Sequence, residues 1–204
     1  MRIAALLAIT LAAASPLIAQ QMPTEAPGKP NPALVQPGAY TVDPAHTLVT
    51  FRVNHLGFSE YHGQFGNPTG SLTIDPKNPG QAKVDISFPI DSVSTTSDAL
   101  DKHLKGADFF DAAKHPAGRF TSTAVRVSGQ TAAITGNLTL KGVTRPVTLQ
   151  AKFVGAGNSP MGGKLNIGFA ATTTIKRSDF GISYGVPMVS DTVDLTIDAA
   201  FVKE

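Results

Sequence analysis

The chain predicts an all-β fold, an antiparallel barrel of about eight strands with one short helical insertion. Three observations carry this. Apolar and polar residues alternate with period two through most of the sequence after Tyr40, the pattern of strands with one buried face. Only one stretch, Ser97 to Asp111, carries the signals of a helix. Charged residues are 16% of the 204, low against about 25% for soluble domains, as expected for a large apolar interior in a Thr-, Val- and Gly-rich chain.

Val49, Phe51 and Val53 alternate with Thr50, Arg52 and Asn54, and His55 to Phe58 breaks the run. A second run extends from Tyr61 to Ile74, interrupted at Gly66-Asn67-Pro68, where a bulge or bend is expected. Asp75 to Gly80 is dense in turn residues. Val84, Ile86 and Phe88 mark the next strand, followed after the helix by Phe120 to Val127 and Thr131 to Leu140. Lys141-Gly142 reads as a tight turn into Val147, Leu149, Ala151 and Phe153. Beyond a Gly-rich loop, Leu165 to Ile175 alternates again. Val193, Leu195, Ile197, Ala199 and Phe201 close the pattern.

In the helical stretch Ser97 is a fitting N-cap, and Asp98 and Asp101 lie near the positive end of the helix dipole. Lys102, His103 and Lys105 lie near the negative end, and Gly106 is placed to end the helix in a left-handed conformation. Leu100 and Leu104 share a face, and Phe109-Phe110 follows. The stretch reads as a cover on the barrel.

Long alternating strands with short turns favour a closed barrel over a β-sandwich, because closure leaves no free edge. About eight strands enclose either a packed lumen or one small ligand. Small residues expected to point inward (Ala124, Gly136, Ala151, Gly168, Ala171) favour a hollow lumen, with a packed one as its rival.

Residues 1–19 read as a secretory signal, with Arg2 before an apolar run from Ile3 to Ala14 too short to span a bilayer. Cleavage is expected near Ala19, although Leu17 is a poor residue at −3. A retained leader acting as an anchor is the alternative. Residues 20–38 hold five prolines and read as an extended, mobile linker. The domain proper spans 39–204.

The formal net charge of +2 and the absence of any Lys/Arg run argue against a nucleic-acid partner. With no cysteine, thiol chemistry and disulfides are excluded. The five histidines form no metal-ligand spacing, although His46, His55 and His62 could still meet at one barrel end. Gly155-x-Gly157 follows a strand but opens no helix, so a dinucleotide site fails its context test. No catalytic residue is assigned. Arg177 and Asp179 pair with each other, or Arg177 faces a ligand's carboxylate or phosphate.

From Tyr40 to Lys203 the chain resembles the YceI-like proteins, periplasmic lipocalin-like polyisoprenoid-binding proteins. The likeness rests on Tyr40-Thr-Val-Asp43 with His46, Phe51-x-Val53-x-His55-Leu56-Gly57, Gly63-x-Phe65 and Asp101-x-His103-Leu104. Asp108-Phe109-Phe110-Asp111 with Pro116 and Phe120, and the hairpin Gly136 to Val147, extend it. Arg177 to Ile182 and Asp191-Thr-Val193 complete it. Leu100 stands where the family commonly has an arginine. The resemblance implies a lipocalin-like barrel whose apolar tunnel takes a polyisoprenoid (an isoprenoid quinone or prenyl lipid) or similar long-chain lipid, with no enzymatic activity, cofactor or metal, and a periplasmic location. A hydrophobic lipid is therefore the expected partner; transient membrane contact and a homodimer stay open. The residues expected to line the site are Phe51, Val53, Phe58, Phe65, Leu100, Leu104, Phe109, Phe110, Phe120, Leu138, Ile167, Phe169, Ile175, Arg177, Phe180 and Ile182. A structural module with a packed barrel is the alternative, and an enzyme built on His103 and Asp101 a further one.

Overall fold

Period-two alternation requires one face of each strand to be buried, and the ladder satisfies every strand only if the sheet closes. The computed structural model, which describes residues 24–204, has that architecture. Its strands are β1 (Gly38–Val42), β2 (Leu48–His55), β3 (Ser59–Phe65), β4 (Thr69–Ile74), β5 (Lys83–Pro89), β6 (Ala117–Ser128), β7 (Thr131–Leu140), β8 (Val143–Asn158), β9 (Leu165–Lys176) and β10 (Thr192–Lys203). They form one antiparallel sheet in the order β1-β4-β5-β6-β7-β8-β9-β10-β2-β3, and β1 also pairs with β10 to close it. The proposed signal and its cleavage point at Ala19 lie outside the described residues.

Ten strands make an eight-stranded barrel because two pairs are single bent strands. β1 and β2 lie in succession along β10, from Tyr40 opposite Lys203 to Arg52 opposite Asp194. At the break between them the buried Thr47 hydroxyl accepts from Ala200 N–H (3.0 Å) and donates to its carbonyl (3.3 Å), replacing lost ladder bonds. β3 and β4 are divided at Gly66-Asn67-Pro68, where Asn67 takes φ 51°. The interruption in the sequence pattern is therefore a strand bend. Lys141 and Gly142 both have positive φ (47° and 76°), the backbone of a two-residue hairpin turn.

The helix α1 (Asp98–Lys105) is capped by Ser97, whose hydroxyl accepts from Leu100 N–H. Gly106 is extended (φ −73°, ψ 173°) and not left-handed. The turn is made later, at Asp111 (φ 49°), because Gly106 N–H bonds the His103 carbonyl at 2.9 Å and the chain runs on into Phe109-Phe110.

Two apolar clusters occupy the ends of the barrel. One gathers Phe65, Phe88, Ile90, Leu104, Leu138 and Phe180 under α1. The other gathers Tyr40, Leu72, Phe153, Ile167 and Phe201 at the opposite end, together with Val35. Val35 belongs to the segment read as a mobile linker. Residues 29–36 lie against the barrel instead: Lys29 exchanges two main-chain hydrogen bonds with Ala156 (2.9 and 3.0 Å), and Pro32–Leu34 forms a 3₁₀ turn. Proline density signals extension; it does not reveal that a neighbouring strand offers free backbone groups.

Candidate functional site

The lumen is hollow. A cavity of about 900 Å³ runs through the barrel between the two ends, walled by the inward faces of β1–β10 and by Leu100, Leu104, Phe109 and Phe110 of the α1 region. Small inward residues keep it open: Ala151 and Ala171 lie on its wall. Gly136 also faces inward, beneath the ring of Phe120. Ala124 and Gly168 do not. A bulge between Ser122 and Ala124 shifts the alternation of β6, so Ala124 is exposed and Val125 and Val127 reach the cavity. Gly168 lies between inward Ile167 and Phe169, on the outer face.

Of the sixteen residues expected at the site, Phe51, Val53, Phe65, Leu100, Leu104, Phe109, Phe110, Phe120, Leu138, Phe169, Ile175, Arg177 and Ile182 share this cavity wall. Three do not. Phe58 is 89% exposed at the tip of the β2–β3 hairpin, where no barrel wall stands beside it. Ile167 and Phe180 point inward but are fully packed within the two end clusters. Sequence reasoning left out Val49, Val84, Ile86, Phe88, Leu195 and Ile197, which the same alternation would have supplied. It also left out Tyr61, which alternates with Gly63 and Phe65, and Pro32, Val35 and Tyr184, for which no periodic signal exists.

Among the described residues Arg177 is the only Lys, Arg, Asp or Glu on the cavity wall. It is 6% exposed, and its guanidinium is already engaged. Nε donates to the Ser190 carbonyl (2.8 Å), Nη1 to Ile182 (3.1 Å) and Tyr184 (2.8 Å), and Nη2 to Val189 (2.9 Å). Four of its five N–H donors are thus used by main-chain carbonyls. Burial pulls its pKa down, opposed by the charge of Asp191. Neither expectation for Arg177 holds: it neither pairs with Asp179 nor offers a free fork to an anion. It ties the loop between β9 and β10 to the barrel. Asp191 in turn accepts from the Ser178 N–H (2.9 Å) and hydroxyl (2.8 Å).

Polar groups gather at the α1 end, where His55, Ser59, Tyr61, His103, Arg177 and Tyr184 lie on the wall. The His103 ring packs edge-on against Phe109 (5.0 Å) and Tyr184 (5.3 Å). His103 Nε2 lies 3.1 Å from an Asp108 carboxylate oxygen. Asp101 is committed elsewhere, accepting from Thr95 N–H at 2.7 Å, so His103 and Asp101 do not form a pair. His46 is bonded to Asp43 (2.7 Å), and among the described residues no three potential metal ligands converge.

A closed eight-stranded barrel around an apolar lumen is the architecture of a protein that encloses a ligand. Comparison with known proteins identifies the family. The YceI-like domain model matches residues 40–201. The chain is 45% identical over 159 residues to Protein YceI of Escherichia coli O6:H1, covering 78% of this chain and 83% of that one. Among solved structures it is similar to a Campylobacter jejuni YCEI protein (TM-score 0.66, 31% identity, 74% of this chain and 90% of that one). A polyisoprenoid binding domain from Saccharophagus degradans, implicated in plant cell wall breakdown, shares the fold at TM-score 0.61 and 15% identity, over 82% of this chain and 99% of that one. The chain belongs to the YceI-like family.

Proposed function

We propose that this protein is an exported, non-catalytic carrier that holds a polyisoprenoid, such as an isoprenoid quinone or prenyl lipid, or a similar long-chain lipid in its lumen. The single observation that carries the reading is the apolar cavity of about 900 Å³, on whose wall the charged Arg177 side chain is spent on main-chain carbonyls. A packed structural module would have no such space. Each buried CH₂ contributes about 0.8 kcal/mol, so about a dozen carbons give roughly 10 kcal/mol before association costs.

With Arg177 engaged, the polar end of the ligand meets Tyr61, Tyr184, Ser59 and the histidines. The hydroxyls of Tyr61, Tyr184 and Ser59 suit a hydroxyl or ketone better than a phosphate, whose charge needs a free cation. Polyisoprenoid binding by the Saccharophagus degradans domain supports the ligand class. The leader-like residues 1–19 support export to the periplasm. Exposed Leu56, Phe58, Tyr184, Val186 and Met188 stand at the same end as the polar groups and support transient membrane contact there.

Solvent extraction of the purified protein followed by mass spectrometry tests the proposal. A stoichiometric long-chain lipid is expected. Recovery of none, together with no uptake of a prenyl or quinone probe, would remove the reading.

A further inference from the structure

The segment before the family domain reaches into the cavity. Pro32 and Val35 are part of the wall at the end opposite α1, beside Pro79 and Ala82 and the Gly129-Gln130 hairpin turn. Both residues precede the region 40–201 that the chain shares with its family. Val35 is 8% exposed and packs with Tyr40, Leu72 and Phe153.

The attachment is specific. Lys29 and Ala156 exchange main-chain hydrogen bonds, and Gln130 Nε2 donates to the Pro30 carbonyl at 3.2 Å. The Tyr40 hydroxyl donates to the Gln36 carbonyl (2.7 Å) and accepts from its N–H (3.2 Å). Two glycines of β8 make the approach possible. A Cβ on Gly157 would collide with the Pro27 carbonyl, and one on Gly155 would lie 3.2 Å from the Lys29 oxygen. Gly157 is outside the left-handed region, so a side chain there is excluded by the docked segment and not by its own backbone.

We infer that residues 27–36 are a stopper that ends the ligand tunnel and sets the longest lipid tail the barrel accepts. The inference rests on the proposed lipid binding. It adds that tail length is read at Val35, by a segment outside the family domain.

Gly157→Val in the full chain displaces the segment while suiting a strand, and Val35→Phe extends the stopper into the tunnel. Uptake is measured with prenyl alcohols of increasing length, and hydrogen exchange at the Lys29 and Ala156 amides reports whether the segment has detached. For the first alcohol beyond the wild-type limit, Gly157→Val is expected to raise retention at least about tenfold, since about two more buried methylene groups suffice for that. Val35→Phe is expected to lower the limit without abolishing uptake of the shortest alcohols. An unchanged limit in folded Val35→Phe, or in Gly157→Val with exposed amides, would overturn the stopper. Absence of uptake at every length by the unmodified protein would overturn the lipid reading, and the stopper with it.

Discussion

Phe51 lays its ring over Gly63, its direct partner across the β2–β3 ladder, in the space a Cβ would occupy. The arrangement recurs around the barrel. Phe88 covers its partner Gly118, and Phe120 covers Gly136 on the neighbouring strand. Each ring lies along the wall instead of standing into the lumen. Phenylalanine thereby supplies buried apolar area while the cavity stays open, which a wall of Leu or Ile opposite residues with side chains would not allow.

Gly118→Ala should accordingly destabilise the fold and narrow the lumen. The new methyl would occupy the Phe88 ring's position, so the ring must turn inward or the strands must separate. Overpacking of this kind costs about 1–3 kcal/mol. Urea denaturation measures the loss and probe uptake measures the narrowing. Wild-type values in both would refute the account of the cavity.

Arg177→Met should cost more than about 3 kcal/mol, since several main-chain carbonyls lose their donor and each such group left unpaired costs about 1–3 kcal/mol. Arg177→Lys should recover only part, because an ammonium cannot span the Ser190, Ile182, Tyr184 and Val189 carbonyls as a planar fork does. Faster exchange of the Val189 amide would report the loosened loop. Full stability with selective loss of anionic lipids would instead mark Arg177 as a head-group contact.

The barrel itself was legible because alternation in β2, β5, β7, β9, β10 and β8 as far as Phe153 is unbroken, and turn residues separate the strands. The bend at Gly66-Asn67-Pro68 was legible for the same reason. Failures came where a residue's partner is distant in sequence. Nothing near Arg177 announces that carbonyls five to thirteen residues later will converge on it. The bulge in β6 changes which face Ala124 occupies without altering its composition. Docking of residues 29–36 depends on Gly155 and Gly157, about 120 positions away. As a local motif those glycines suggested only a failed dinucleotide loop; their use is to let another backbone approach.

Acid should weaken the outer face of the barrel. The Arg119 hydrogen bonds hold the Asp85 pKa below its usual value, and those from Thr174 and then Arg52 do the same for Asp194. Because the folded pKa values are depressed, the unfolded chain binds more protons once pH approaches the ordinary carboxylate value of about 3.9. The stabilisation is therefore complete above that range and lost as pH falls through the lower, folded values. Between neutral pH and about pH 5 these groups leave stability flat. Denaturation midpoints across a pH series should fall less steeply in acid for Asp85→Asn than for the unmodified chain. Parallel curves would mean that the Asp85–Arg119 pair contributes nothing.

Leu56 N–H donates to the Met188 carbonyl at 2.7 Å, joining the β2–β3 hairpin tip to the loop that Arg177 holds. The two segments together expose Leu56, Phe58, Tyr184, Val186 and Met188. Exposed surface of this kind contributes little to folding, so Phe58→Asp with Met188→Asp should change stability by no more than about 0.5 kcal/mol. The same change puts two charges where an apolar surface would enter the acyl boundary of a bilayer, each opposed by burial. Transfer of a fluorescent prenyl probe from neutral phosphatidylcholine vesicles should slow by about tenfold, equivalent to about 1.4 kcal/mol. Uptake of the same probe from detergent should be unaffected, because the cavity wall is untouched. Equal transfer rates for the double variant and the unmodified protein would refute membrane contact through this apolar surface.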